Sequence, residues 1–245
     1  MIPVLTDELP KPFTIIPEGN IVTFGETVEM VRASHREHGP VLQAYADTWY
    51  RSGHTWAMVH FLGHSVMKSP NDLWMYQDLF WRLRPQTVIE TGTYTGGSAL
   101  WFSCLMDWYG LPESSKVYTI DIEEKAKRVT AWHPRIEFLE KTSSLDPRVR
   151  DRVAPKIVYP LLLVLDADHT EAFVRQEMDV WSPLVRPGDY MIVEDTNVDW
   201  PGVDGGARMG VSSFLDDHPG AWEQDLCCER FLHTCHPGGW LKRIA

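Results

Sequence analysis

The stretch Val88-Ile89-Glu90-Thr91-Gly92-Thr93-Tyr94-Thr95-Gly96-Gly97-Ser98 constrains the fold of this chain more than any other. A short apolar run ends in an acid, three glycines follow, and an apolar helical pattern starts at Ser98. It reads as the end of a parallel strand, a ligand-cradling turn and a helix start. Gly92, Gly96 and Gly97 let the backbone take positive φ and approach a ligand with no Cβ in the way. The turn lacks the Lys-Ser/Thr ending of a phosphate-cradling P-loop, and Gly-x-x-x-Gly-Gly is not the Gly-x-Gly-x-x-Gly dinucleotide fingerprint. An acid at Glu90 repels a pyrophosphate, so the expected ligand offers hydroxyls or a cation. S-adenosylmethionine, with an amino group, a sulfonium and a neutral ribose, meets that description. Thr93, Gly96 and Ser98 join Glu90 and Gly92 as candidate cofactor contacts.

The rest of the chain supplies the sheet that such a turn needs. Val117 to Ile120, Ile136 to Leu139, Leu161 to Leu165 and Tyr190 to Val193 are apolar runs of strand length. Leu73, Tyr76, Leu79 and Phe80 recur at helical spacing behind Asp72, read as an N-cap, and Ser98 to Tyr109 and Thr170 to Trp181 carry the same period. Thr27 to His38 reads as a further helix. Strands alternating with helices predict an α/β fold, a Rossmann-like doubly wound and mainly parallel sheet, with the ligand at the carboxyl ends of its strands. Residues 1–70 have weak periodicity and read as an N-terminal accessory or lid segment, leaving 71–245 as the catalytic domain. Pro201 to Arg208 reads as a mobile loop.

Composition narrows the partners. A chain of 245 residues with 44% hydrophobic and 23% charged content is an ordinary globular protein. A net charge of −11 argues against nucleic acid, whose binding depends on clustered Lys and Arg. No membrane span or secretion signal is evident, so a cytoplasmic protein acting on a small-molecule hydroxyl acceptor is expected. The 11 tryptophans suit core packing, sugar stacking or the interface of a homo-oligomer. Cys227, Cys228 and Cys235 lack the second paired-ligand unit of a zinc finger and read as reduced thiols.

Two further constellations carry chemistry. Asp121, 31 residues after Glu90, ends the second strand, where an acid accepts hydrogen bonds from ribose hydroxyls. Asp166-Ala167-Asp168-His169 ends the fourth strand and Glu194-Asp195 the fifth, so the sheet brings these carboxylates to one edge. Their repulsion calls for a cation, and an oxygen-rich set suits Mg²⁺, with Mn²⁺ as a substitute. Methyl transfer to a hydroxyl requires loss of its proton, and a bound cation lowers the pKa of that oxygen. His169 or Glu171 is placed to take the proton.

These residues bring a family into view. In five blocks, Lys68 to Gln77, Val88 to Ser98, Ser143 to Pro147, Leu165 to His169 and Val193 to Asn197, the chain resembles the cephalosporin hydroxylase and rhamnosyl O-methyltransferase family. That family is a branch of class I S-adenosylmethionine-dependent methyltransferases. The resemblance implies that Glu90 and Gly92 contact the methionine part of the cofactor, Asp121 its ribose and Ser144 its adenine region. It implies Asp168, Glu194 and Asp195 as metal ligands, with Asp166 behind them on the cofactor side, and Glu171 as the base ahead of His169. The activity implied is Mg²⁺-dependent O-methylation of a sugar or glycosylated natural product. A metal-dependent hydrolase or oxygenase component and a noncatalytic cofactor-binding partner are the rival readings, although no iron or flavin motif is present.

Overall fold

A computed structural model describes residues 24–52, 55–124, 133–197 and 206–245. The first helix, α1 (Phe24–Arg51), is longer than the expected Thr27 to His38 and runs through Pro40. Its second half is held by tertiary contacts, with the Tyr45 and Trp49 rings packed edge-on against His233. A two-stranded hairpin, β1 (His60–Phe61) and β2 (His64–Ser65), leads to α2 (Pro70–Leu83).

The N-cap of α2 is Ser69 and not Asp72: Ser69 Oγ accepts from the Asp72 amide at 3.0 Å. Pro70 at the first helical position needs no amide partner and sets the start earlier. Asp72 is fully buried, and its carboxylate accepts from Ser69, from Thr234 Oγ1 at 2.6 Å and from the Cys235 amide at 2.9 Å. It therefore anchors the C-terminal segment.

The alternating pattern then unfolds as expected, with α4 as a helix the sequence reading lacked: β3 (Thr87–Thr91), α3 (Gly97–Trp108), β4 (Lys116–Ile120), β5 (Ile136–Leu139), α4 (Pro147–Val153), β6 (Leu161–Leu165), α5 (Glu171–Trp181) and β7 (Tyr190–Val193). After them come α6 (Gly206–Asp217), β8 (Trp222–Gln224) and β9 (Trp240–Arg243). The sheet order is β5-β4-β3-β6-β7-β9-β8. The first five are parallel, and β9 and β8 add an antiparallel edge that the sequence reading lacked.

The central strands are buried on both faces, which is why they read as unbroken apolar runs. Along β6, Leu161, Leu163 and Leu165 pack with Val174, Met178 and Trp181 of α5 and Val211 and Phe214 of α6. Leu162 and Val164 face the other side, against Tyr76 and Phe80 of α2 and Phe102 and Leu105 of α3. Of the expected mobile loop, 201–205 lie outside the described residues and Gly206 to Arg208 begin α6.

Candidate active site

A cavity of about 450 Å³ opens at the carboxyl ends of β3, β4, β6 and β7. Its first wall is the glycine turn. Gly92 has φ +80° and Gly96, the N-cap of α3, also has φ +80°. A Cβ on Gly92 would stand 1.8 Å from the Asp166 carbonyl oxygen, and one on Gly97 would stand 2.1 Å from that of Ser65. Both glycines thus let neighbouring backbone approach, and the hairpin docks on the turn through Thr95 Oγ1, which donates to Ser65 O at 2.9 Å. Gly92, Thr93 and Ser98 line the cavity, whereas Glu90 lies fully buried beneath it. Glu90 Oε2 accepts from Thr119 Oγ1 at 2.7 Å, and Oε1 has no hydrogen-bond partner. Burial raises the Glu90 pKa to about 7, against the pull of Lys68 and the Ser98 hydroxyl.

Asp121 stands across the turn, with its carboxylate accepting from the Tyr94 amide at 2.7 Å and the Glu123 amide at 2.8 Å. Ser144, after β5, completes this half of the cavity.

The acidic half is organised by Lys68, to which the sequence reading gave no role. Its side chain is fully buried and donates to Asp166 Oδ2 at 2.7 Å and Glu194 Oε1 at 2.5 Å. Tyr76 OH donates to the same Glu194 oxygen at 2.6 Å. Burial lowers the Lys68 pKa, but Asp166 and Glu194 outweigh it and hold the ammonium charged. Burial likewise opposes ionisation of Glu194, and Lys68, His236 and Tyr76 bring its pKa below the usual range. Asp166 goes the other way: burial and the Glu194 charge raise its pKa despite Lys68.

Asp166, His169 and Asp195 bring ligand atoms within 4.8 Å of one another, the one such group of three among the described residues. His169 Nε2 lies 3.3 Å from Asp195 Oδ2 and 3.9 Å from Asp166 Oδ1. All three line the cavity. The expected trio of Asp168, Glu194 and Asp195 is not drawn together in this way. Asp168 lines the cavity but is exposed, and its Oδ1 accepts from the Thr170 amide at 2.9 Å ahead of α5. Glu194 points to Lys68 and Tyr76 and is absent from the wall. Both residues lie beyond the end of β7, where Asp195, at φ +55°, turns to the cavity wall while Glu194 stays with Lys68 and Tyr76.

Glu171, the first residue of α5, lies in a separate shallow depression with Arg175 and Ser213. The cysteines of the C-terminal segment, Cys227, Cys228 and Cys235, are buried and in the thiol form. Cys228 Sγ sits 3.4 Å from Arg82 Nη2 and 3.5 Å from Asp225 Oδ2, while Cys235 reaches the cavity wall.

Known proteins share this fold. The family model described as "Rhamnosyl O-methyltransferase/CmcI" matches residues 53–244. A rhamnosyl O-methyltransferase of Mycobacterium bovis is 35% identical over 204 residues, covering 80% of this chain and 82% of the relative. That of Mycobacterium leprae is 34% identical over 203 residues, covering 80% and 87%. A CmcI structure described with Mg and SAM has a TM-score of 0.65 at 24% identity, covering 81% of this chain and 84% of its own, and the apo form of CmcI has 0.63 at the same identity and coverage. The structural likeness shows that this chain shares the fold of CmcI. On the match of 53–244 and the identity to its named members, this chain belongs to the rhamnosyl O-methyltransferase/CmcI family.

Proposed function

We propose that this chain is a Mg²⁺-dependent, S-adenosylmethionine-using O-methyltransferase acting on a hydroxyl of a sugar or glycosylated natural product. One observation carries the reading: a single cavity joins the glycine turn and Asp121 to the group Asp166, His169 and Asp195. A cofactor of this size suits the cavity, which falls in the range of small-molecule sites. The Asp121 carboxylate accepts from ribose hydroxyls, and Ser144 lies on the adenine side. The cation also fits the oxygen donors present, because the Asp166 and Asp195 carboxylates, within reach of one ion, suit Mg²⁺ or Mn²⁺, which keep water or substrate oxygens as their other ligands.

In this reading Asp166 and Asp195 hold the metal, and Glu194 helps to fix the Lys68 ammonium, the charge that balances Asp166. When bound, the cofactor supplies a methyl group on a cationic sulfur and the metal lowers the pKa of the acceptor hydroxyl. The His169 imidazole, on the cavity wall, is the base for that hydroxyl's proton, and Asp195, with Oδ2 3.3 Å from Nε2, would stabilise the imidazolium. The turn orients the cofactor and the buried Lys68 keeps the two acids from repelling each other. Residues 1–70 serve as the accessory segment of the domain at 71–245. The reading carries with it a small-molecule acceptor and a cytoplasmic homo-oligomer.

Incubation with methyl-labelled S-adenosylmethionine and rhamnosyl acceptors, with and without EDTA, tests the proposal. Label transfer that stops with EDTA and returns with Mg²⁺ supports it. Full transfer after chelation sinks the metal role, and transfer to no sugar hydroxyl sinks the acceptor class.

A further inference from the structure

Helix α1 lies ahead of the residues matched by the family model, yet its last turn reaches the acidic end of the cavity. Tyr50 OH donates to Asp195 Oδ2 at 3.3 Å, the same oxygen that His169 approaches. Asp195 sits at φ +55°, outside the regular strand geometry of β7, and its carboxylate meets both Tyr50 and His169. The Tyr50 ring stacks on Trp56, with centroids 6.2 Å apart and planes at 27°, and both line the cavity. Tyr45 and Trp49 pin the same helix against His233.

We propose that α1 completes the site: Tyr50 is a positioning residue that orients the Asp195 carboxylate, and the Tyr50–Trp56 pair is the wall on which the acceptor's sugar ring lies. The inference rests on the methyl-transfer reading above. An aromatic face beside a charged centre suits a sugar ring, whose C–H face is apolar and whose hydroxyls turn to the acids.

The test compares wild type, Tyr50→Phe and Trp56→Ala. Calorimetry reads affinity for Mn²⁺ and for S-adenosylhomocysteine, and kinetics read kcat and KM for methyl α-L-rhamnopyranoside. Tyr50→Phe is expected to weaken Mn²⁺ binding and to lower kcat by roughly tenfold each, with S-adenosylhomocysteine affinity and acceptor KM unchanged. Trp56→Ala is expected to raise acceptor KM about three- to tenfold with Mn²⁺ affinity intact. A Tyr50→Phe protein equal to wild type in Mn²⁺ affinity and kcat overturns the positioning role, and loss of S-adenosylhomocysteine binding overturns it in favour of a structural one. An unchanged KM in Trp56→Ala overturns the wall. Wild type that binds Mn²⁺ but leaves the rhamnoside unmethylated overturns the sugar reading and the wall with it, while the Mn²⁺ comparison still decides Tyr50. Wild type that does neither removes the functional reading itself.

Discussion

At the scale of single residues, Lys68 sets the electrostatics of the site. Its ammonium lies between two carboxylates with no exposed surface, so removing it leaves buried like charges uncompensated. Lys68→Met is expected to cost roughly 3–5 kcal/mol in urea unfolding at neutral pH. The assignment of Asp166 in place of Asp168 is tested as directly. Asp166→Asn is expected to lower Mn²⁺ affinity by about a hundredfold, and Asp168→Asn to change it little, as read by calorimetry. The same contrast separates the two candidate bases, since His169 lies in the cavity and Glu171 outside it. His169→Ala is expected to lower kcat by about 10²–10⁴, and Glu171→Ala only slightly, in the labelled-methyl assay. The sequence carried the acids and the imidazole in plain sight, but the choice among Asp166, Asp168, Glu194 and Asp195 depends on which way each side chain points at its strand end.

At the scale of elements, the strand-turn-helix unit was legible because apolar runs and glycines are local signals. What the glycines are for was not. The Cβ contacts of 1.8 Å at Gly92 and 2.1 Å at Gly97 are with protein backbone, so these residues serve packing between β3, β6 and the hairpin before they serve a ligand. Gly92→Ala is therefore expected to lower stability by more than about 2 kcal/mol, combining a left-handed φ with overlap, and to broaden or abolish cooperative thermal unfolding. The antiparallel strands β8 and β9 escaped detection for a physical reason. With three and four residues apiece, Trp222-Glu223-Gln224 and Trp240 to Arg243 are too short to show a period, and their pairing comes from contact with β7 and each other. The misplaced cap of α2 has a similar origin: Ser69 and Asp72 both suit an N-terminus, and the burial of Asp72 under Thr234 and Cys235 decided between them.

At the scale of the whole molecule, burial of acids gives the protein a pH signature. Glu177, on α5, is fully buried, and burial raises its pKa to about 7 although the Ser144 and Thr91 hydroxyls pull it down. A carboxyl whose folded pKa exceeds its unfolded value is neutral in both states at low pH. As pH rises from the unfolded value of about 4.5 through 7, the folded form must bury a charge and stability falls. Glu177→Gln is thus expected to match wild type near pH 4 and to exceed it by about 1–3 kcal/mol at pH 8, measured by denaturant unfolding across the window. Glu194, held below the usual range, acts in the opposite sense, so the difference between variant and parent is the quantity to read. The sequence by itself determined the α/β architecture, the edge at which a ligand sits and the chemical types gathered there. Hydrophobic runs and turn residues act over a few positions, and a parallel sheet gathers its strand ends whatever the loops contain. Tertiary structure alone decided that Lys68 reaches Asp166 across 98 positions and that Tyr50 reaches Asp195 across 145. It also turned Glu194 inward and Asp195 to the cavity. These contacts arise where separate elements meet, and their energies depend on burial and distance, which no local pattern encodes.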